Sequence, residues 1–168
     1  MTTRADGLDE LLRLDNLLCF ALHAASRAFD SVYRPLLRDA GITYPQYLVM
    51  LTLWEHRELT VKELGRLLRL DSGTLSPLLK RLEAAGYVER RRGTEDERSV
   101  TVTPTAAGEV LREKARAVAG GIASATGLEW AEASELRGRL NNLIAALDAA
   151  AATQERSNTV ATQERSNA

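Results

Sequence analysis

The sequence predicts a mainly α-helical fold with one small β-hairpin. Over most of the 168 residues, apolar side chains recur at steps of three and four, as in amphipathic helices. Two short helical segments between Thr60 and Gly86 are separated by a tight turn at residues 71–74. After Gly86 the apolar period changes to the alternation typical of β-strands. This order of elements predicts a winged helix-turn-helix.

Composition limits the class of protein. The chain is 45% hydrophobic and 27% charged, which suits one globular domain with a real core, expected over residues 1–150. We find no signal peptide and no apolar run of the ~18 residues that a membrane span needs, so we expect a cytoplasmic protein. The net charge of −1 gives no overall attraction to nucleic acid, so DNA binding would need a local basic patch.

The first predicted helix is long and ends near Arg34, because the residue before a proline, here Pro35, disfavours helical geometry. Its apolar stripe consists of Leu11, Leu14, Leu18, Leu22, Ala25, Phe29 and Val32. A turn at residues 39–41 precedes the second helix, whose apolar positions are Tyr47, Leu48, Met50, Leu51 and Trp54.

The next two helices form the helix-turn-helix. Thr60 and Glu63 have the spacing of a capping box, which predicts the start of a short helix. Residues 71–74 end this pattern and begin a second helix, which stops at Gly86. Residues 87–88 and 100–102 favour β-structure and flank a charged segment, which predicts the hairpin called the wing.

The C-terminal part continues in helices. Pro104 suits the first turn of a helix that Gly120 and Gly121 interrupt, and a last helix carries Leu136, Leu140, Leu143, Ile144 and Leu147. The helices expected at about 8–38 and 105–150 have no obvious partner beside the lobe at about 44–104, which predicts a homodimer. Residues 151–168 contain a repeated Ala-Thr-Gln-Glu-Arg-Ser-Asn segment and are expected to be disordered.

A basic patch coincides with the helix-turn-helix. Residues 66–92 carry seven cations and three acids. The second helix of the motif offers hydroxyls and then cations, which can reach base edges and phosphates. At the wing tip Arg98 can enter a minor groove, with Asp96 holding its guanidinium. The predicted DNA-binding residues are Ser72, Thr74, Ser76, Lys80, Arg81, Arg91, Asp96 and Arg98. The alternatives are a helical hairpin with a solvated basic face and an exposed Asp96–Arg98 ion pair.

Cys19 is the one cysteine, so no internal disulfide can form. Free cysteines are often inert core residues, but a thiol on a DNA-binding scaffold can also be a redox switch. His23 follows one helical turn later and either interacts with the thiolate or has no role. We expect no metal site, no cofactor and no enzymatic activity, since no ligand cluster, phosphate loop or nucleophile triad is present in the sequence.

Four sequence segments resemble those of the winged-helix regulators of the MarR type and, within that family, those of the organic hydroperoxide resistance regulators. These segments are Leu17-Leu18-Cys19-Phe20, Ile42-Thr43-Tyr44-Pro45-Gln46-Tyr47, Leu70-Asp71-Ser72-Gly73-Thr74-Leu75 and Asp96-Glu97-Arg98-Ser99. The resemblance covers about residues 11–118.

The resemblance implies a dimeric repressor that binds an inverted-repeat operator when reduced and is released when Cys19 is oxidised by an organic hydroperoxide. It also implies that Tyr33 and Tyr44 of the partner subunit donate hydrogen bonds to that sulfur. Relatives with a second, resolving cysteine have it at or near Ser124. This chain therefore either uses a low-molecular-weight thiol or carries Ser124 in place of a cysteine.

Two other functions are weighed against this one. A MarR-type regulator induced by a small phenolic ligand would not need Cys19. A thiol peroxidase would use Cys19 but lacks a resolving cysteine and has no use for a basic winged helix.

Overall fold

The computed structural model describes Glu10, residues 12–92 and residues 99–166. The chain divides into two compact units, Met1–Ala125 and Thr126–Ala168. The first unit contains the helix-turn-helix and the wing, and the second contains one long helix.

The first long helix, α1, spans Leu18–Arg38 and follows a separate 3-10 turn at Leu14–Asn16. Its prediction was wrong at both ends. Leu17 has extended backbone angles, which separates the turn from the helix. Pro35 lies inside α1, where it removes one backbone hydrogen bond. The next turn is nevertheless helical, because Leu37 is buried in the core.

The helix-turn-helix is confirmed. α2 spans Tyr44–His56, α3 Val61–Leu68 and α4 Ser72–Ala84. The backbone N–H of Thr60 donates to the Glu63 carboxylate (2.8 Å) and Glu63 N–H donates to Thr60 Oγ1 (3.2 Å), so the predicted capping box is present. Gly86 has a φ of 75°, which lets the chain leave α4 in the left-handed conformation.

The wing is confirmed as an antiparallel hairpin of β2 (Val88–Arg92) and β3 (Val100–Pro104). A two-residue strand, β1 (Leu59–Thr60), adds to β3 and gives the sheet order β1-β3-β2. β1 was not predicted, since two residues are too few to show alternation. Arg90 pairs with Val102 at the centre of the hairpin.

The next helix, α5, spans Ala106–Thr126, and two details differ from the prediction. Pro104 ends β3, and Thr105 caps the helix instead, its Oγ1 accepting from Gly108 N–H at 3.1 Å. The helix also continues through Gly120 and Gly121. A Cβ on Gly121 would lie 2.9 Å from Leu36 Cδ2, so this glycine permits a close approach to α1 rather than ending α5.

One apolar core joins the C-terminal end of α1, the helices α2, α3, α4 and α5, and the sheet. Its most buried members are Leu37, Val49, Met50, Leu53, Leu64, Leu75, Leu79, Leu82 and Val102. Because α3 and α4 both bury leucines here, the outer face of α4 is held in a fixed position.

The second unit contains α6 (Trp130–Ser166), which includes the leucines predicted for the last helix. The helix continues where the composition predicts a disordered tail. The physical reason is the alanine-rich stretch 145–152, whose helix propensity is high. Thr153 Oγ1 donates to Ala149 O one turn back (2.9 Å), which satisfies the hydroxyl inside the helix. Within the described ranges, no helix is long and apolar enough to cross a membrane.

Candidate sensor and DNA-binding surfaces

Two of the predicted sensor residues, Tyr33 of α1 and Tyr44 of α2, lie together. Their ring centroids are 4.3 Å apart, and Tyr47 approaches Tyr33 at 5.9 Å. Phe29, one turn earlier in α1, lies 6.5 Å from Tyr33. Tyr33 and Tyr44 are half-buried, so their rings form an aromatic surface open on one side.

Both phenols stay protonated at neutral pH. Burial, followed by the nearby Tyr44 and Tyr47 hydroxyls, raises the pKa of Tyr33 to about 12. Burial, followed by the Asp30 carboxylate, raises the pKa of Tyr44. Within the part of the chain that the structure describes, neither hydroxyl has a hydrogen-bond partner. Each is therefore a donor available to a group from outside its own subunit.

Cys19 is the second residue of α1, and its side chain is exposed. His23 is also exposed and lies one turn further along the same helix. Fourteen residues separate Cys19 from Tyr33 on one continuous helix, which places them about 21 Å apart at 1.5 Å per residue. Within one subunit, Cys19 and His23 are therefore separated from the tyrosine pair.

The predicted recognition helix, α4, presents its polar face outward. Ser72, Thr74, Lys80 and Arg81 are exposed, whereas Ser76 is half-buried. These residues share one surface because the leucines of α4 face the core.

The cap of α4 restricts what Thr74 can offer to DNA. Its backbone N–H donates to Asp71 Oδ1 (2.9 Å) and its hydroxyl donates to Asp71 Oδ2 (2.8 Å). With its proton engaged, Thr74 Oγ1 can accept from a base amino group but cannot donate to a phosphate. The negative charge of the Asp71 carboxylate also stabilises α4, because it lies at the positive, N-terminal end of the helix dipole.

The wing places Arg91 on its exposed face. The Arg91 guanidinium contacts both carboxylate oxygens of Glu89 at 3.0 Å, so part of its charge is balanced within the strand. Asp96 and Arg98 lie outside the described residues.

An ion pair that was not predicted links α4 and β2. Arg90 Nε donates to Glu83 Oε2 at 2.9 Å, and Arg90 Nη2 contacts the same oxygen. This bond lowers the pKa of Glu83. The alternation of side chains along β2 is the sequence feature that could have indicated this ion pair. It places Arg90 on the face of the strand opposite Glu89 and Arg91.

Arg90 also lines a groove of about 1050 Å³ between α3, α4 and the wing. Ser72, Ser76 and Arg66 contribute to the same groove, so it adjoins the predicted DNA-binding face of α4. Among the described residues, no cluster of histidine, cysteine or carboxylate side chains could hold a metal ion.

Known proteins resemble this chain over most of its length. The organic hydroperoxide resistance transcriptional regulator of Bacillus subtilis is 46% identical over 136 residues, covering 81% of this chain and 92% of that protein. The regulator TtmR of Methylorubrum extorquens is 47% identical over 142 residues, covering 84% of this chain and 71% of that protein.

Solved structures of AbfR, a protein of Staphylococcus epidermidis, match as well. Reduced AbfR bound to DNA has a TM-score of 0.72 at 42% identity and covers 83% of this chain and 95% of that one. AbfR has also been solved overoxidised on DNA and in a disulfide form. The profile of the MarR family matches residues 42–100, which span most of the helix-turn-helix and wing. With these relatives across most of its length, the chain belongs to the MarR family.

Proposed function

We propose that this protein is a redox-sensing transcriptional repressor that binds an inverted-repeat operator as a reduced homodimer and is released when organic hydroperoxides oxidise Cys19. The observation that carries the proposal is a single exposed cysteine at the start of α1, in a chain 46% identical to an organic hydroperoxide resistance regulator. The regulator acts in the cytoplasm and needs no cofactor.

The sensor site is shared between two subunits. Cys19 is about 21 Å along α1 from Tyr33 of its own chain, so it meets a tyrosine pair only if a second copy supplies one. In this arrangement the free hydroxyls of Tyr33 and Tyr44 donate to the sulfur of the other subunit. Such bonds stabilise the thiolate, and the half-buried rings suit the apolar part of an organic hydroperoxide.

The proposed reaction at Cys19 has two steps, oxidation by the hydroperoxide and capture by a small thiol. The Cys19 thiolate attacks the outer peroxide oxygen, the O–O bond breaks, and the alkoxide leaves and takes a proton to become an alcohol. Cys19 is thereby oxidised to a sulfenic acid. A low-molecular-weight thiol then attacks the sulfenic sulfur, giving a mixed disulfide and releasing water.

The small thiol is needed because the chain has one cysteine and carries Ser124 on α5. AbfR has been solved overoxidised while still bound to DNA. Overoxidation therefore does not by itself prevent DNA binding in that relative. In this protein the larger mixed disulfide separates Cys19 from the tyrosines and rotates the two lobes out of register.

The proposed DNA contacts are made by the outer face of α4 and by the wing. Ser72, Thr74 and Ser76 contact base edges or phosphates of one major groove in each half-site, and Lys80 and Arg81 reach the backbone or guanine there. Arg98, with Asp96 holding its guanidinium, enters the flanking minor groove, and Arg91 is a further DNA contact. Two recognition helices must lie about 34–36 Å apart to enter successive major grooves, so a small rotation of the lobes abolishes binding.

The test uses a fluorescent duplex selected from a random-sequence pool by the reduced wild-type protein. Anisotropy is measured before and after cumene hydroperoxide, with and without a small thiol, beside Cys19→Ser. We expect release of wild type in the presence of the thiol and retention of Cys19→Ser. Release of both proteins would overturn the redox mechanism, and retention of both would indicate a regulator induced by a small phenolic ligand.

A further inference from the structure

We infer that the ion pair between Glu83 of α4 and Arg90 of β2 sets the position of the wing relative to the recognition helix, and so determines whether both elements reach DNA together. The inference rests on the proposed function and adds two positioning residues to it. Neither residue was among those predicted to contact DNA.

The geometry links two elements that must act together. Both donors, Nε and Nη2 of Arg90, reach the same oxygen of Glu83, which fixes the plane of the guanidinium better than a single contact would. The side chains are 28% and 37% exposed, so this ion pair is better shielded from solvent than the Arg91–Glu89 pair, whose values are 73% and 51%.

The places of Glu83 in α4 and of Arg90 in β2 explain why this ion pair can position the wing. Glu83 lies in the last turn of α4, on the helix that carries the predicted base-reading side chains. Arg90 lies at the middle of β2 and pairs with Val102, a fully buried residue of β3. Fixing Arg90 therefore fixes the central rung of the hairpin, and with it the direction in which the wing extends.

A second reading of Arg90 is that it contacts a phosphate directly, since it lines the groove beside α4. The two roles predict opposite results for Glu83→Gln. If Arg90 serves DNA by its charge, removing the neighbouring carboxylate frees that charge and strengthens binding. If the ion pair positions the wing, the same substitution weakens binding.

The experiment measures operator affinity of the reduced full-length dimer by anisotropy on the selected duplex. We expect Glu83→Gln to bind about fivefold more weakly, which is about 1 kcal/mol for the dimer, or about 0.5 kcal/mol for each of its two ion pairs. Hydroxyl-radical footprints should lose protection at the flanking minor grooves and keep it at the half-site centres. The exchanged variant, Glu83→Arg with Arg90→Glu, should recover most of the affinity and of the flanking protection.

Glu89→Gln is the matched control, because it breaks the exposed Arg91 pair on the other face of the same strand. We expect it to leave the flanking protection in place. Unchanged or tighter binding by Glu83→Gln would overturn the inference, as would weaker binding with intact flanking protection. The release of the duplex after addition of hydroperoxide and thiol is measured in the same samples and reports on Cys19. If wild type fails to release the duplex, this result counts against the proposed function and not against the positioning role of Glu83 and Arg90.

Discussion

Tyr33→Phe removes one oxygen from the candidate sensor site and nothing else. Within the described part of the chain, the Tyr33 hydroxyl has no hydrogen-bond partner, so its loss breaks no hydrogen bond of the folded subunit. We expect the free energy of unfolding at pH 7 to change by less than about 0.5 kcal/mol. Operator binding by the reduced protein should also be unchanged.

The rate of Cys19 oxidation should fall. A hydrogen bond to a charged acceptor contributes about 1.5–3 kcal/mol. A stabilised thiolate is also a weaker nucleophile, which cancels about half of that gain. The remainder, about 0.75–1.5 kcal/mol, corresponds to an oxidation about 4 to 13 times slower.

The assay is rapid quenching of reduced protein with cumene hydroperoxide, followed by mass spectrometry of the trapped sulfenate. Tyr47→Phe is the matched control, since it removes the same atom from a ring 5.9 Å from that of Tyr33. An unchanged oxidation rate in Tyr33→Phe would refute the shared sensor site. A slower rate accompanied by weaker operator binding would indicate a folding defect and refute the assigned role.

Three further results are expected. In an absorbance titration at 295 nm, the difference between wild type and Tyr33→Phe should show Tyr33 ionising near pH 12 rather than 10. Because its pKa is raised in the folded state, the contribution of Tyr33 to stability should be constant below about pH 10 and fall by about 1–2 kcal/mol towards pH 12. Tyr33→Phe should remove that part of the fall and leave the part due to Tyr44 and Tyr47, whose pKa values burial also raises. Gly108→Ala should lower the free energy of urea unfolding by about 1–3 kcal/mol, since the added Cβ would overlap the carbonyl oxygen of Tyr87; unchanged stability would contradict this packing. Asp71→Ala should lower the melting temperature more than Asp71→Asn, because asparagine can still cap α4; equal losses would rule out the capping role.

Local rules were sufficient for the helix-turn-helix. Thr60 with Glu63, and Asp71 with Thr74, are capping patterns whose partners lie three residues apart, so the sequence contains the whole interaction. Gly86 likewise stops α4 through its own backbone conformation. Such features can be predicted because they depend on neighbours in the chain.

The same local rules gave wrong predictions in α1 and α5, where packing between residues distant in the sequence determines the structure. Pro35 predicts a helix end, yet burial of Leu37 outweighs the lost hydrogen bond. Gly121 predicts an interruption, but the nearness of Leu36 explains why a glycine is needed inside the helix. In each case the deciding partner belongs to another turn or another helix, and no window of sequence contains it.

The candidate sensor site illustrates a further limit. Sequence resemblance selected Cys19, Tyr33 and Tyr44, but one chain brings only the two tyrosines together. The length of α1 then has a functional consequence. If the thiol and the phenols of one site belong to different subunits, every oxidised cysteine changes a contact between subunits rather than a contact within one lobe. Spacing between the two recognition helices is a property of that same pair of subunits. A reaction at one sulfur atom can therefore alter DNA binding without unfolding either lobe, because the sensor and the operator-binding geometry depend on a single interface.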